Sequence, residues 1–294
     1  MDNYNKFTHF KVHSQYSICE GALKIENLSS FCKKNKIKAI GLSDTSNLCG
    51  ALEFSENISK SGTQPILGTQ INFKFKDEIG LIPIIAKNRK GYESILKLSS
   101  NSFLQNNINT TPHCDIKDLL NNPDGIIVLS GSIQSLSGKF FLKNKLQELS
   151  ELYQLINKNF DNNFYLEIQR HNDQNEKQFE KYNLNSSDKL NIPIIATHEV
   201  FYLDQSMHEA HDALLCIKNK TYISDRDRIK LSVNHNYKSD KDMIDLFSDL
   251  PEALLNNFYL PFKCNYKATN SKPLLPKISS SDNKNPDKIL EQQA

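Results

Sequence analysis

Two stretches of the chain carry side chains able to do chemistry. They are His9-Phe10-Lys11-Val12-His13-Ser14-Gln15-Tyr16-Ser17 and, further on, Gly41-Leu42-Ser43-Asp44-Thr45-Ser46-Asn47-Leu48-Cys49-Gly50. Each ends a short apolar run with polar groups, and strand ends are where a β/α barrel presents an active site. Neutral imidazole and carboxylate suit zinc or manganese, and adjacent divalent ions can activate a water against a phosphoester. Other candidates are weaker. His208-Glu209-Ala210-His211 sets two imidazoles at i and i+3, one residue short of the His-Glu-x-x-His zinc spacing, and reads as polar residues on a helix packed near the barrel. His113 and His235 fall in polar loops and are expected at the surface. Cys49 is expected as a small packed residue rather than a nucleophile, and Ser14 and Ser43 lack the hydrolase elbow.

The elements that must position these groups alternate in type. Strands are predicted at Phe10–Val12, Ala39–Leu42, Pro65–Leu67, Ile71–Phe75, Gly80–Ala86, Gly125–Leu129, Phe164–Ile168 and Ile192–Ala196. Between them, helices are predicted at Leu23–Asn35, Ala51–Lys60, Gly91–Phe103, Lys145–Asn157 and Gln174–Leu184. Apolar strands without polar alternation indicate a parallel sheet covered on both faces, and Pro83 points to an edge or bulge. Polar residues at several strand ends favour a barrel over an open sheet, whose ligands gather at one switch point. After Tyr202 the pattern turns helical, with helices at His208–Lys218, Lys241–Phe247 and Pro251–Phe258. Gln105 to Pro112 has loop composition, Ala268 to Asp287 has linker composition, and a helix then starts near Pro286 and stops without a cap, as in an incomplete chain.

The two opening stretches resemble the start of the polymerase-and-histidinol-phosphatase (PHP) domain of the bacterial replicative DNA polymerase III alpha subunits. The likeness continues in order through Gly50-Ala51-Leu52-Glu53-Phe54, Gln64-Pro65-Ile66-Leu67-Gly68, Phe164-Tyr165-Leu166-Glu167-Ile168-Gln169-Arg170-His171 and Glu209-Ala210-His211-Asp212-Ala213-Leu214-Leu215-Cys216-Ile217. It ends with Asp249-Leu250-Pro251-Glu252-Ala253-Leu254 and Pro273-Leu274-Leu275-Pro276. The resemblance implies a distorted, TIM-like β/α barrel followed by short helices. It divides the chain into a barrel core over 1–205, a helical segment completing the PHP region over 206–268, and a linker with the start of a truncated polymerase region over 269–294.

The resemblance also implies a metal-ligand set, and this sequence departs from it. Where metal-binding members have His-x-His, the chain has Lys11-Val12-His13; Asp-His becomes Asp44-Thr45; a Glu shortly after a Gly becomes Gln70; a late Asp-x-His becomes Glu199-Val200-Phe201. His13, Asp44, His171 and Glu199 remain as ligand types, while Lys11, Thr45, Gln70 and Phe201 stand at lost-ligand positions. An ammonium about 4 Å from a divalent ion is repelled by roughly 8 kcal/mol at an effective dielectric near 20. Lys11 is expected to replace the metal instead, pairing with Asp44 and Glu199. The expectation is a vestigial pocket without a cofactor. Zinc or manganese would belong only to an intact barrel site, and magnesium to the palm of a parent polymerase, whose catalytic residues lie outside this chain. Members with eroded ligands leave proofreading to a separate epsilon exonuclease subunit docked on the PHP domain, so that subunit, other replicase subunits and DNA through the parent are the implied partners. The alternatives are a free-standing metal-dependent phosphoesterase or nuclease and a structural module of an unrelated assembly.

Bulk properties agree with a cytoplasmic globular protein and offer no sign of a membrane span or signal peptide. Of 294 residues, 38% are apolar and 24% charged, and the net charge is +2. The six cysteines include no C-x-x-C pair, so buried reduced thiols are expected. The one local basic excess, Lys33, Lys34, Lys36 and Lys38, lies at a helix end where the macrodipole favours cations.

Overall fold

The computed structural model describes residues 5–107, 109–228, 230–273 and 291. The chain opens with β1 (Lys11–Val12), α1 (Ile25–Asn35), β2 (Ala39–Thr45), α2 (Ala51–Lys60), β3 (Gln64–Phe75), β4 (Glu78–Ala86) and α3 (Arg89–Leu104). It continues with β5 (Cys114–Asp115), α4 (Ile116–Leu120), β6 (Ile126–Leu129), α5 (Leu136–Leu142), α6 (Leu146–Phe160), β7 (Phe164–Ile168), α7 (Glu176–Leu190), β8 (Ile194–Ala196) and β9 (Glu199–Val200). Three helices follow: α8 (His208–Asn219), α9 (Asp240–Leu246) and α10 (Pro251–Tyr259). No helix among the described residues is long and apolar enough to cross a membrane.

The strands form one sheet in the order β8-β7-β6-β4-β3-β2-β1-β9, with β5 beside β3. Its two ends are consecutive in sequence, because only Thr197 and His198 separate β8 from β9. Thr197 N–H still donates to the Ile168 carbonyl on β7, while Glu199 is already in register with Lys11 on β1. The chain itself therefore bridges the seam of a curled sheet, giving the expected distorted barrel.

The strands are not all parallel. β4 runs antiparallel to both β3 and β6. The β3–β4 connection is the two residues Lys76-Asp77, too short for the crossover a parallel pair needs. Lys76 takes φ 54° there without glycine, so Asp77 is the turn's one mark in the composition. The two strands predicted at 65–67 and 71–75 are one twelve-residue strand. Gly68 lies inside it because a Cβ would stand 2.7 Å from the Ile84 carbonyl oxygen on β4. Pro83 is not at an edge: β4 lies between two strands, and its ladder with β6 begins at Ile84, one residue beyond the proline. α4, with a capping box from Asp115 and Asp118, and α5, capped by Ser135, were not predicted.

The helical segment after Tyr202 is part of the barrel. Leu260 and Cys264, just past α10, are buried with Phe10, Ile66, Ile85, Ile127 and Ile195 and close the floor at the strand starts. Asn257 on α10 is fully buried. Its side chain accepts from Thr8 N–H at 2.8 Å and donates to the Thr8 and Ala196 carbonyls at 2.9 Å each, tying the two sides of the seam. Leaving any one of these backbone groups buried and unpaired costs about 1–3 kcal/mol. The helix start expected near Pro286 and most of the expected linker lie outside the described residues. The six cysteines are free; Cys32, Cys114, Cys216 and Cys264 are buried, but Cys49 is exposed rather than packed.

Candidate functional site

The strand ends opposite the floor bring Lys11, His13, Gln70, His171, Glu199 and Phe201 together around one cavity of about 270 Å³; among these, His13, Gln70, Glu199 and Phe201 line it directly. The Glu199 carboxylate is the hub. It accepts from Gln70 Nε2 at 2.6 Å and lies 2.9 Å from His13 Nε2 and 3.6 Å from the Lys11 ammonium. Lys11, only 1% exposed, also sits 3.4 Å from Glu167. Burial works to lower the Lys11 pKa, yet the Glu167 and Glu199 carboxylates hold it above the ordinary lysine value. Burial would raise the Glu199 carboxyl, but Lys11 and the His13 hydrogen bond keep it well below the carboxylate range.

Asp44 does not share this cation. It accepts from Ser14 N–H at 2.7 Å, Ser14 Oγ at 2.7 Å and Ser17 Oγ at 2.8 Å, which accounts for the side chain. The expected Lys11–Asp44 pair is thus replaced by Lys11–Glu167, because strand β7 faces β1 across the barrel while the Ser14–Ser17 turn closes over Asp44. Thr45 turns to Glu20. The Phe201 ring stacks on His13 at 4.4 Å and on His211 at 5.0 Å, filling its position with apolar surface.

His171 is committed on both ring nitrogens. Nε2 accepts from Glu199 N–H at 3.1 Å, which places the proton on Nδ1, facing Glu176 Oε1 at 3.0 Å. Glu176 also accepts from the backbone N–H groups of His171 and Asn172 at 2.7 and 2.8 Å, clamping the loop after β7. Burial, reinforced by Asp173, lifts Glu176 to about 7. His171, Asp173 and His235 are the one group of such side chains, among the described residues, whose candidate ligand atoms lie within 4.8 Å of one another. His235 Nε2 is 3.0 Å from Asp173 Oδ2, and its ring stacks on His171 at 4.0 Å. The stack continues from His171 to His198 at 4.4 Å. Burial holds His171 and His198 well below the ordinary histidine value, and brings His9 and His211 down to about 4.

Glu167, Asp173, Glu176 and the buried His235 were missed as site residues, and His235 was expected at the surface. Glu167 had one local signal, a charged residue inside the apolar strand Phe164–Ile168. His235 had none, since it reaches the site from a loop far along the chain. His208 and His211 face the Leu231 and Glu20 carbonyls at 3.2 and 2.8 Å, as side chains of a helix packed on the barrel. His113 lies half-buried, its Nδ1 2.7 Å from the Thr111 carbonyl and away from the pocket.

The fold and its strand-end pocket define a PHP-type barrel, and the PHP domain family model matches residues 9–171. The chain belongs to the PHP domain family. It is 36% identical over 278 residues to the DNA polymerase III subunit alpha of Rickettsia bellii, covering 94% of this chain and 24% of that protein. The corresponding subunit of Borreliella burgdorferi is 34% identical over 285 residues, covering 92% and 25%. The chain thus spans about a quarter of the length of these curated relatives. Among solved structures, a Bacteroides vulgatus two-domain protein described as containing a PHP-like metal-dependent phosphoesterase matches at 12% identity and TM-score 0.45, covering 82% of this chain and 62% of that one.

Two outcomes follow from the site. Lys11→Met leaves Glu167 and Glu199 without their buried cation, so unfolding in urea should show a loss of about 3–5 kcal/mol, partly recovered in the Lys11→Met/Glu167→Gln double variant. An unchanged midpoint would show that the ammonium is not what neutralises these carboxylates. Acid should also weaken the fold. Between pH 6.5 and about 4 the unfolded chain protonates His9 and His211 while the folded chain does not, and each loses about 1.4 kcal/mol of stability per pH unit. Glu176 works the other way between pH 7 and 4.5, because its folded carboxyl binds the proton first. The two imidazoles outweigh it, so the urea midpoint at pH 4.5 should lie below that at pH 7.

Proposed function

We propose that this chain is the PHP portion of a replicative DNA polymerase alpha subunit, and that its barrel is a metal-free scaffold. The observation carrying this reading is the Lys11 ammonium buried between Glu167 and Glu199. A buried cation is paired with Glu199, which lines the cavity where a divalent ion would need anionic and neutral donors, and the remaining donors do not fit a cluster. His171 has no free nitrogen, Asp44 is held by two serines, and Gln70 and Phe201 bring no charge. The similarity to DNA polymerase III alpha subunits over nearly the whole chain supports the parent assignment. Under this reading the protein is cytoplasmic, and DNA-directed synthesis belongs to the parent. Residues 1–205 form the barrel core, 206–268 complete it, and 269–294 lead toward the polymerase region.

The convergence of His171, Asp173 and His235 favours a second reading, a metal-dependent phosphoesterase or nuclease. Elemental analysis and a phosphoesterase assay with added manganese and zinc separate the two. The scaffold predicts no stoichiometric metal and no turnover; two or three bound ions with hydrolysis would establish the enzyme.

The implied partner is a separate proofreading exonuclease subunit of the epsilon type, together with other replicase subunits. Support is the eroded ligand set, which leaves proofreading to another chain. Size-exclusion chromatography of the folded chain with a purified epsilon-type exonuclease should show a shared peak. Separate elution, with the chain folded by circular dichroism, would remove this partner.

A further inference from the structure

The barrel floor, opposite the pocket, gathers lysines that, among the described residues, form no ion pair. Lys36 and Lys38 follow α1, Lys60 ends α2, Lys87 follows β4, and Lys263 and Lys267 lie on the segment that seals the floor. Short hydrogen bonds join these segments into one surface. Gln64 N–H donates to the Lys38 carbonyl at 2.8 Å, and the Thr63 hydroxyl to the Ile37 carbonyl at 2.8 Å. The Gln64 amide reaches the Pro261 and Cys264 carbonyls at 3.0 and 2.8 Å, and Asn265 N–H reaches the Lys87 carbonyl at 2.8 Å.

Lys36, Lys38, Lys60 and Lys267 are exposed and, among the described residues, form no ion pair. Lys87 and Lys263 donate to uncharged groups: the Asn163 side chain at 2.9 Å, the Asn162 carbonyl at 3.1 Å and the Tyr165 hydroxyl at 2.6 Å. Glu93 and Asp124, at the same end, are already taken by Arg89 and Lys90, and Glu56, beside Lys60 and Lys267, accepts from the Asn270 amide at 2.6 Å. Beside Lys263, Phe262 is 75% exposed and Tyr259 50% exposed, their rings grouped with Phe258. The overall charge of +2 gives no hint of this surface, on which Glu56 lies in one groove with Lys60 and Lys267.

We propose that the floor binds single-stranded nucleic acid, the lysines meeting successive phosphates and Phe262 offering a face for an unpaired base. Lysines alone would suit any polyanion. The exposed ring beside them decides the class, since base stacking on an aromatic platform combined with a cationic track is how single strands are held without sequence readout. A paired duplex would leave the ring without a base, and an acidic protein surface would use the charges but not the stack. This surface is separate from the pocket, so the proposal stands whether or not the barrel holds metal.

Fluorescence anisotropy of a labelled oligothymidylate with the 294-residue chain tests it. The variant Lys38→Glu/Lys60→Glu/Lys267→Glu should bind about tenfold or more weakly at low salt, with its log–log salt slope reduced by about 2. Lys117→Glu/Lys177→Glu/Lys181→Glu, the same charge change at exposed positions off the floor, should retain most of the affinity. Phe262→Ala should weaken oligothymidylate binding about tenfold while leaving poly-glutamate binding unchanged. Circular dichroism confirms folding of each variant, and the exposed Phe262→Ala stands by itself should the triple reversal unfold. Three results would overturn the proposal: no binding at low salt, equal losses in both triple variants, or poly-glutamate binding as tight as oligothymidylate with no effect of Phe262→Ala. The last would assign the floor to an acidic protein.

Discussion

A single ammonium group organises the pocket end of this barrel. Lys11 on β1 reaches Glu167 on β7 and Glu199 on β9, so its charge ties together strands from both sides of the seam. Buried charges are tolerated only when paired, and here one cation serves two carboxylates. Glu199 in turn fixes the orientation of His13 and Gln70, and its backbone N–H sets the His171 tautomer. Through Glu176 that tautomer is coupled to the loop after β7. The pocket is therefore one network of ion pairs and hydrogen bonds, in which a change at Lys11 reaches groups well beyond its own contacts.

The floor solves a different problem. A sheet curled around apolar side chains must be sealed where its strands begin, and the segment after α10 does this with Leu260 and Cys264. Asn257 satisfies backbone groups on both sides of the seam just above that seal. The helices that follow the strands in sequence are thus required to finish the core. The same sealing segment carries Lys263, Lys267 and Phe262 to the surface, so closing the floor also sets what that end presents to solvent.

Local signals in the sequence were followed closely by the structure where they were strong. The strand Phe164–Ile168 and helix Ala51–Lys60 have the predicted bounds, because apolar runs and amphipathic periodicity act within one element. The β3–β4 hairpin was not legible, since the positive-φ position of Lys76-Asp77 is a lysine rather than a glycine and Gly68 marks a close strand approach rather than a break. At the site, the substituted positions Lys11, Thr45, Gln70 and Phe201 stood out against the family pattern. Their partners stood out less: Glu167 showed only as a charge inside an apolar strand, with nothing to name Lys11 as its partner, and His235 comes from a loop with no motif.

By itself, then, the sequence determined the alternation of strands and helices, the family likeness and the presence of a lysine where a metal ligand would stand. Tertiary structure decided the rest: that Lys11 meets Glu167 instead of Asp44, that His171 has no free nitrogen, and that lysines from separate segments share one floor. The physical reason is range. Propensity and periodicity act over a few residues, whereas ion pairing and desolvation depend on which strands the curled sheet brings near one another.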